Sequence, residues 1–464
     1  MIPERLQPLI DETAWFAERF AAAGHNLYLV GGVVRDAVLN RLAPQADIDL
    51  TTDARPPEIK RLVRPGADAL WDQGERFGTI GVERDGRRYE ITTHRAEAYV
   101  PESRKPEVEF ADAVEADLSR RDFTVNAMAL RLPGMELVDP FGGIGDLADG
   151  RLRTPLPPVE SFGDDPLRML RAARFIAGYG LRPEPDVVAA VEKLRDRLEI
   201  VSAERIRDEL DKLVTVEHPT AGLRFLVSTG LADHFLPELS GMALEQDPVH
   251  RHKDVLEHTF AVVEKVRPSH RLVRLAALFH DVGKPRTRAF GPGGVSFHHH
   301  EVVGARMTRE RMKALRYSNE DIAAVTRLVE LHLRFHGYRD GDGGWTDSAV
   351  RRYVRDAGPL LEELNELTRC DCTTRNEARA RTLARRMDEL EARIERLQEE
   401  EELARLRPDV DGRRVMEHLG IPPGPAVGRA LDHLLELRIE EGPLGEEEAL
   451  RRLDAWWADQ PEAR

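Results

Sequence analysis

The chain has almost no cysteine, with Cys370 and Cys372 alone in 464 residues. One residue apart, the two could pair only under severe strain, so a disulfide-stapled scaffold is excluded and unpaired, core-packing thiols in a reducing cytoplasm are expected. No apolar run approaches the ~18 residues of a membrane span, and MIPERLQPLI carries no secretory or lipidation signal, so no membrane partner is expected. Lysine is scarce as well, 8 of the 68 basic residues. Arginine suits bidentate contacts to phosphates and bases, but a GC-rich coding sequence gives the same bias, so the excess alone assigns no function. Net positive charge is absent altogether: at −15 the chain cannot be coated by nucleic acid, and any such contact has to be local. Internal repeats and long low-complexity tracts are also lacking.

What is present is a globular composition, 41% hydrophobic and 33% charged, in a chain too long for one core. Short β-branched runs (LYLVGGVV, ADIDLTT, GTIGVE, RYEITTH) alternate with helical stretches over residues 1–150, which predicts an α/β head. From 151 onward the pattern is helical. A neck is expected over 151–245, a histidine-rich helical domain over 246–376, and a charged helical tail over 377–464, opened by the long amphipathic stretch ARTLARRMDELEARIERLQEEEELARL. The protein is expected to be mostly α overall.

Leu29 to Asp53 carries the densest chemistry, in the order strand, Gly31-Gly32, helix with Arg35, then a strand bearing Asp47 and Asp49. Side chains at i and i+2 share one face of a strand, so the two aspartates can project together. Carboxylates that close repel unless a divalent cation lies between them, and oxygen-only ligation selects Mg²⁺. Glu90, in RYEITTH on a neighbouring strand, is the candidate third acid for a two-metal site. Gly31 and Gly32 allow backbone N–H groups to approach a phosphate, and Arg35 one turn later is placed to hold it.

GGVVRD with the downstream DID resembles the first motif of the bacterial class II tRNA nucleotidyltransferases and poly(A) polymerases, members of the polymerase-beta-type nucleotidyltransferase superfamily. Four further stretches resemble that family in the same order. RRDFTVNAMAL implies ribose recognition by Arg121, Asp122 and Asn126, and DPFGG implies a hinge after the head. DDPLRMLRAARF implies a nucleotide-recognition helix carrying Asp165 and Arg168, and AERIRDELDKL the helix that supports it. Asp164 stands where the family often has Glu, a conservative departure. The resemblance implies template-independent addition of C and A to the 3′ end of tRNA from CTP and ATP, with Mg²⁺ in the head.

An Asp and an Arg three apart on one helix can address a base edge jointly. Cytosine and adenine both present an amine beside an unprotonated ring nitrogen, matching an acceptor and a donor; uracil and guanine present the reverse. Arg171 and Arg174, one and two turns on, are candidates for the triphosphate or the ribose.

Between 250 and 376 the stretches HRHKDVLEH, ALFHDVGKP, SFHHHEVVGA, LVELHLRFH and CDCTTRN offer neutral imidazoles and carboxylates suited to one or two divalent metals. They resemble the HD phosphohydrolase superfamily. Carried over, the ligands are His258, His280, Asp281 and Asp371, with His300 and His332 for a second ion; phosphatase or 2′,3′-cyclic phosphodiesterase activity on damaged RNA ends is implied, with Mg²⁺, Mn²⁺ or Ni²⁺ all compatible. DGRRVMEHLGIPPGPAVG resembles the family's RNA-binding tail. Three rival readings share parts of this pattern. A poly(A) or A-only polymerase has the same head motifs and differs in loop geometry, which the segment from Arg95 to Glu115 is expected to set. A metal phosphohydrolase with an inactive head needs only the histidines, and a pure RNA-binding protein needs neither Asp47 nor Asp49. Oligomeric state is not encoded in any of these motifs.

Overall fold

The structure is a computed structural model and describes residues 6–43, 47–98, 107–244, 254–291, 294–337, 345–372, 377–401 and 407–460. The chain divides into two compact units, residues 1–240 and 241–464. The boundary expected between 245 and 246 lies outside the described residues, and so does part of the Arg95 to Glu115 segment.

The head begins with α1 (Gln7–Ala22), β1 (Leu27–Val30), α2 (Gly32–Val38), β2 (Ile48–Thr52) and α3 (Pro56–Val63). It continues through β3 (Ala69–Trp71), β4 (Thr79–Arg84), β5 (Arg87–Thr93), the hairpin β6 (Arg95–Ala98) and β7 (Glu107–Phe110), then α4 (Val114–Ser119), β8 (Ala129–Leu132) and β9 (Leu137–Val138). Seven strands form one sheet in the order β3-β4-β5-β2-β1-β8-β9. Every pairing in it is antiparallel except β2 with β5, which run parallel with Asp49 opposite Glu90.

Strand alternation divides the sheet's two faces. Leu27, Leu29, Ile48, Leu50, Ile80, Val82, Tyr89 and Ile91 point to a core shared with Phe16 and Phe20 of α1 and Ile59 and Val63 of α3. Full burial of side chains of this size stabilises by about 1.5–3 kcal/mol each. The intervening positions, Asp49 and Glu90 among them, are left for the opposite face.

The neck follows without a break: α5 (Gly143–Asp149), α6 (Pro158–Asp164), α7 (Leu167–Tyr179), α8 (Pro185–Leu194), α9 (Ala203–Val214) and α10 (Thr220–Ser228). Head and neck pack on each other within the first unit. Phe123 of the head packs on Phe175 of α7 with ring centroids 5.1 Å apart, and a buried ion-pair network crosses between them. The expectation that Asp165 and Arg168 ride one helix is corrected. Asp165 is extended (φ −135°, ψ 98°), one residue before Pro166 and two before the helix. Proline disfavours helical backbone in the residue preceding it, so the helix cannot begin at Asp165.

In the second unit, helices Val255–Lys265, Arg271–Phe279, His300–Ala314, Asn319–Leu331 and Leu361–Asp371 surround the histidines. The long helix Glu377–Glu401 agrees with the sequence pattern, and three shorter helices close the tail around Val415, Leu434 and Leu453. Arg351 donates to the carbonyl of Ile439 at 3.1 Å, joining the histidine-rich domain and the tail within this unit.

Candidate functional site

Asp49 and Glu90 line a cavity of about 450 Å³ on the head's open sheet face, together with Thr79, Thr92, Arg95, Asp117, Arg120, Arg121 and Arg168. Gly31 forms one edge of this place. Its φ is +75°, a conformation that favours glycine, and the position of its missing Cβ lies 2.6 Å from Arg121 Nη1 and 3.6 Å from Asp49 Oδ2, which puts the turn against the acid. Asp47 sits immediately before β2 and is exposed. Burial raises the Asp49 carboxyl to about 6; Arg121 opposes the rise, and Glu90 and then Asp47 add to it. A half-buried carboxylate at Asp49, with Glu90 beside it across the β2–β5 pairing and Asp47 just outside the strand, fits a divalent cation. They are spread wider than a closed ligand set, since among the described residues only the histidine region brings three ligand atoms within 4.8 Å of one another.

Of the other residues expected to touch nucleotide, Arg121 and Arg168 face the cavity. Arg121 pairs with Asp117 at 3.2 Å. Arg168 is buried and anchored, donating to Ser161 Oγ at 2.9 Å and to the carbonyl of Arg120. Asp165 accepts from the Leu167 N–H at 3.2 Å and pairs with Arg205 of α9 at 2.9 Å.

The remaining residues are bound to one another. Arg35 is only 6% exposed: it grips Asp36 through two hydrogen bonds of 2.8 Å, donates to Asn126 Oδ1, and lies 4.2 Å over the Tyr179 ring. Asn126 donates to Asp122 at 2.8 Å, and Asp122 accepts from Arg171 at 2.8 Å. Burial alone would raise the Asp122 carboxyl, but Arg171 and Asn126 hold it well below the usual carboxylate range. Arg171 and Arg174 both reach the buried Glu209 of α9. Arg35, Asp122, Asn126, Arg171 and Arg174, expected to hold ribose or phosphate, therefore form a connected polar strut between α2, α7 and α9, beside the cavity. Glu209, Arg205, Ser161 and Arg95 were not anticipated from the sequence. Glu209 alone had a signal, because it follows Ile206 and precedes Leu210 and Leu213 on the apolar face of its helix.

In the second unit all six expected ligands converge, each at or near a helix end. His258, His280 and Asp371 form one close group; Asp281, His300 and His332 form another. Asp281 reaches both, with Oδ2 3.2 Å from His280 Nε2 and Oδ1 3.4 Å from His300 Nε2. His280, His300 and His332 each donate Nδ1–H to the carbonyl three residues earlier at 2.7 Å, which fixes the tautomer with Nε2 free to ligate. Asp281 Oδ1, His300 Nε2 and His332 Nε2 are buried and accept no hydrogen bond, as an ion-binding set would be. Burial and the neighbouring His280 push His332 down to about 3, so it is a neutral ligand at ordinary pH. His280 would be depressed by burial, yet Asp281 and Asp371 lift it above its usual value: the carboxylates favour positive charge here. Gly283 lets the HDVGK turn press against the next helix, since a Cβ there would lie 2.1 Å from the His300 carbonyl.

The stretches of chain that carry these residues are matched by known families. The families described as poly A polymerase head domain, probable RNA and SrmB-binding site of polymerase A, and HD domain match residues 27–153, 180–242 and 253–394. The A-adding tRNA nucleotidyltransferase of Deinococcus radiodurans is 36% identical over 364 residues, covering 75% of this chain and 80% of that protein. The chain belongs to the bacterial tRNA nucleotidyltransferase and poly(A) polymerase family. Within this family, the CCA-adding enzyme of Streptococcus suis is 30% identical over 432 residues, 93% of this chain and 92% of the relative. The fold is that of the Bacillus stearothermophilus CCA-adding enzyme crystallised with CTP, at a TM-score of 0.68 and 24% identity over 98% of both chains. No helix among the described residues is long and apolar enough to cross a membrane.

Proposed function

We propose that this chain adds C and A nucleotides to the 3′ end of tRNA without a template, using CTP and ATP and releasing pyrophosphate. The observation that carries this reading is a single cavity lined by both the acids Asp49 and Glu90 and the base-edge candidate Arg168. The primer's 3′-hydroxyl attacks the α-phosphorus in line and pyrophosphate departs, with no protein nucleophile. Mg²⁺ held by Asp47, Asp49 and Glu90 would lower the pKa of that hydroxyl and screen the phosphates. Gly31 keeps the backbone low where the triphosphate lies, and Arg121 supplies charge beside it. Arg168, fixed by Ser161 and the Arg120 carbonyl, donates to the unprotonated ring nitrogen that cytosine and adenine share. Asp165 accepts from their amine; a carboxylate has lone pairs enough to do so while Arg205 orients it. Arg35, Asp122, Asn126, Arg171 and Arg174 act at one remove, by holding α2 and α7 in place.

Transcripts ending before the first C, given CTP and ATP separately, test the reading. We expect CTP to be incorporated first and ATP only after two C residues. The Deinococcus relative is named for adding A. Refusal of CTP, with ATP accepted by a transcript already ending in CC, would assign this chain that narrower activity.

For the histidine cluster we infer a divalent-metal phosphohydrolase that takes a 2′,3′-cyclic phosphate at an RNA end. The support is the fixed Nδ1–H tautomers, which leave Nε2 to ligate, and the orphaned ligand atoms around Asp281. Asp281→Ala is expected to lose bound metal, measured by elemental analysis, and all cyclic-phosphate hydrolysis, while nucleotide addition stays within about twofold. Retention of stoichiometric metal by that variant would overturn the ligand assignment.

A further inference from the structure

Resting on the nucleotide-adding reading, we propose that Trp71 is a stacking platform for a base of the RNA acceptor strand, upstream of the reacting 3′-hydroxyl. Trp71 belongs to β3, the edge strand of the head's sheet. Leu70 packs on the core, so the period of two turns Trp71 to the opposite face, where it remains 37% exposed. That is the face of Asp49 and Glu90. The register sets them in one row across the strands: Trp71 opposite Gly81, Gly81 opposite Glu90, and Glu90 opposite Asp49. Gly81 leaves the place above β4 bare, and the indole enters it, with Trp71 Cε3 2.9 Å from where a Cβ of Gly81 would stand. The ring therefore lies two strands from Asp49, roughly 10 Å at the usual strand spacing. The guanidinium carbon of the exposed Arg88 lies 5.6 Å from the ring centroid and adds a cation to the platform.

In-line displacement puts the attacking oxygen and the departing pyrophosphate on opposite sides of the α-phosphorus. On one side of β2 is β1, whose end at Gly31 lies beside Asp49 and leaves room for the triphosphate. The acceptor strand then arrives from the other side, over β5 and β4. Among the described residues, Trp71 is the one large apolar side chain that β3, β4 and β5 expose. Stacking also suits the task. Every base has a π-face, so an indole accepts whichever base a given tRNA presents there. An aromatic over a bare glycine can also shield a sheet edge, but leucine would cover Gly81 as well, and this separates the two roles.

The experiment measures steady-state addition of C to a tRNA transcript lacking CCA by the full chain and by Trp71→Ala, Trp71→Leu and Trp71→Phe. Trp71→Ala is expected to raise KM for the RNA about tenfold, as the loss of one base–aromatic stack does, with KM for CTP within about twofold of the parent. Trp71→Phe should recover most of the RNA affinity, whereas Trp71→Leu should behave like Trp71→Ala. An abasic nucleotide at one upstream position of the transcript should weaken the parent as much as Trp71→Ala does, and should cost that variant little more. Quenching of tryptophan fluorescence by the same transcript should be smaller in Trp71→Phe than in the parent. CTP binding with Mg²⁺ in the absence of RNA reports folding, and if Trp71→Ala fails it, Trp71→Leu and the abasic transcripts decide. Parental RNA affinity in Trp71→Leu, a shift in KM for CTP in place of RNA, or no abasic position coupled to Trp71 overturns the proposal. The quench requires no turnover, so a parent that extends no tRNA would defeat the nucleotide-adding function while binding still decides the platform.

Discussion

Asp49→Asn is expected to lower nucleotide addition by about a thousandfold or more, and at the same time to make the metal-free protein more stable. Asparagine preserves the size of the side chain and the pairing of β2 with β5, so the loss isolates the charge. The stability gain follows from proton linkage. The Asp49 carboxyl is raised from 3.8 to about 6 in the fold. Between those values the folded chain holds a proton that the unfolded chain has released, so stability falls as pH rises across the interval and the loss is complete above about 6. Asparagine has no such dependence. In chelator at neutral pH the variant's first unit should be more stable by an amount on the order of 2 kcal/mol, discounted for the partial exposure of Asp49. The difference should vanish near pH 4 and shrink when Mg²⁺ is added, because the cation relieves the parent's repulsion. Thermal melts at the two pH values, with and without chelator, measure this. Equal addition rates for parent and variant would remove Asp49 from the chemistry.

Glu209→Ala is expected to cost the first unit about 3 kcal/mol or more. Glu209 is 3% exposed and accepts from Arg174 at 2.7 Å and Arg171 at 3.4 Å. Truncating it removes an acceptor from two half-buried guanidiniums, Arg171 keeping Asp122, and breaking a buried pair on one side costs about 3–5 kcal/mol. Glu209→Gln keeps the acceptor oxygen and should lose roughly half as much. Urea unfolding, followed by the fluorescence of Trp15 and Trp71 in this unit, gives the comparison. Because Glu209 lies outside the cavity, the folded variant should keep KM for CTP within a fewfold of the parent, which a nucleotide-contacting residue would not.

The contrast between these two acids shows what could be read beforehand. Asp49 and Glu90 were legible because a strand has a period of two: once Ile48, Leu50, Tyr89 and Ile91 are assigned to the core, the acids between them must face the other way. The convergence of the six candidate ligands of the second unit was legible through their order along the chain, and each lies at or near a helix end. The mutual pairing of Arg35, Asp122, Asn126, Arg171 and Arg174 was not legible, because an arginine's partner depends on which helices pack together, and spacing along one helix does not specify that. The neighbourhood of Asp165 was readable in principle, since Pro166 forbids the helix from starting earlier. The change of pattern near residue 151 marks a switch from strands to helices. It says nothing about whether two segments share an interface, and head and neck do.

The two sets of donor atoms differ in kind, carboxylate oxygens in the head and mostly imidazole nitrogens around Asp281. Oxygen donors accept the abundant hard ions, whereas imidazoles rank the transition metals far above them. On the functions proposed above, one polypeptide would draw on two separate nutrient pools: starvation for trace metals is expected to silence the histidine-lined centre and leave strand extension running.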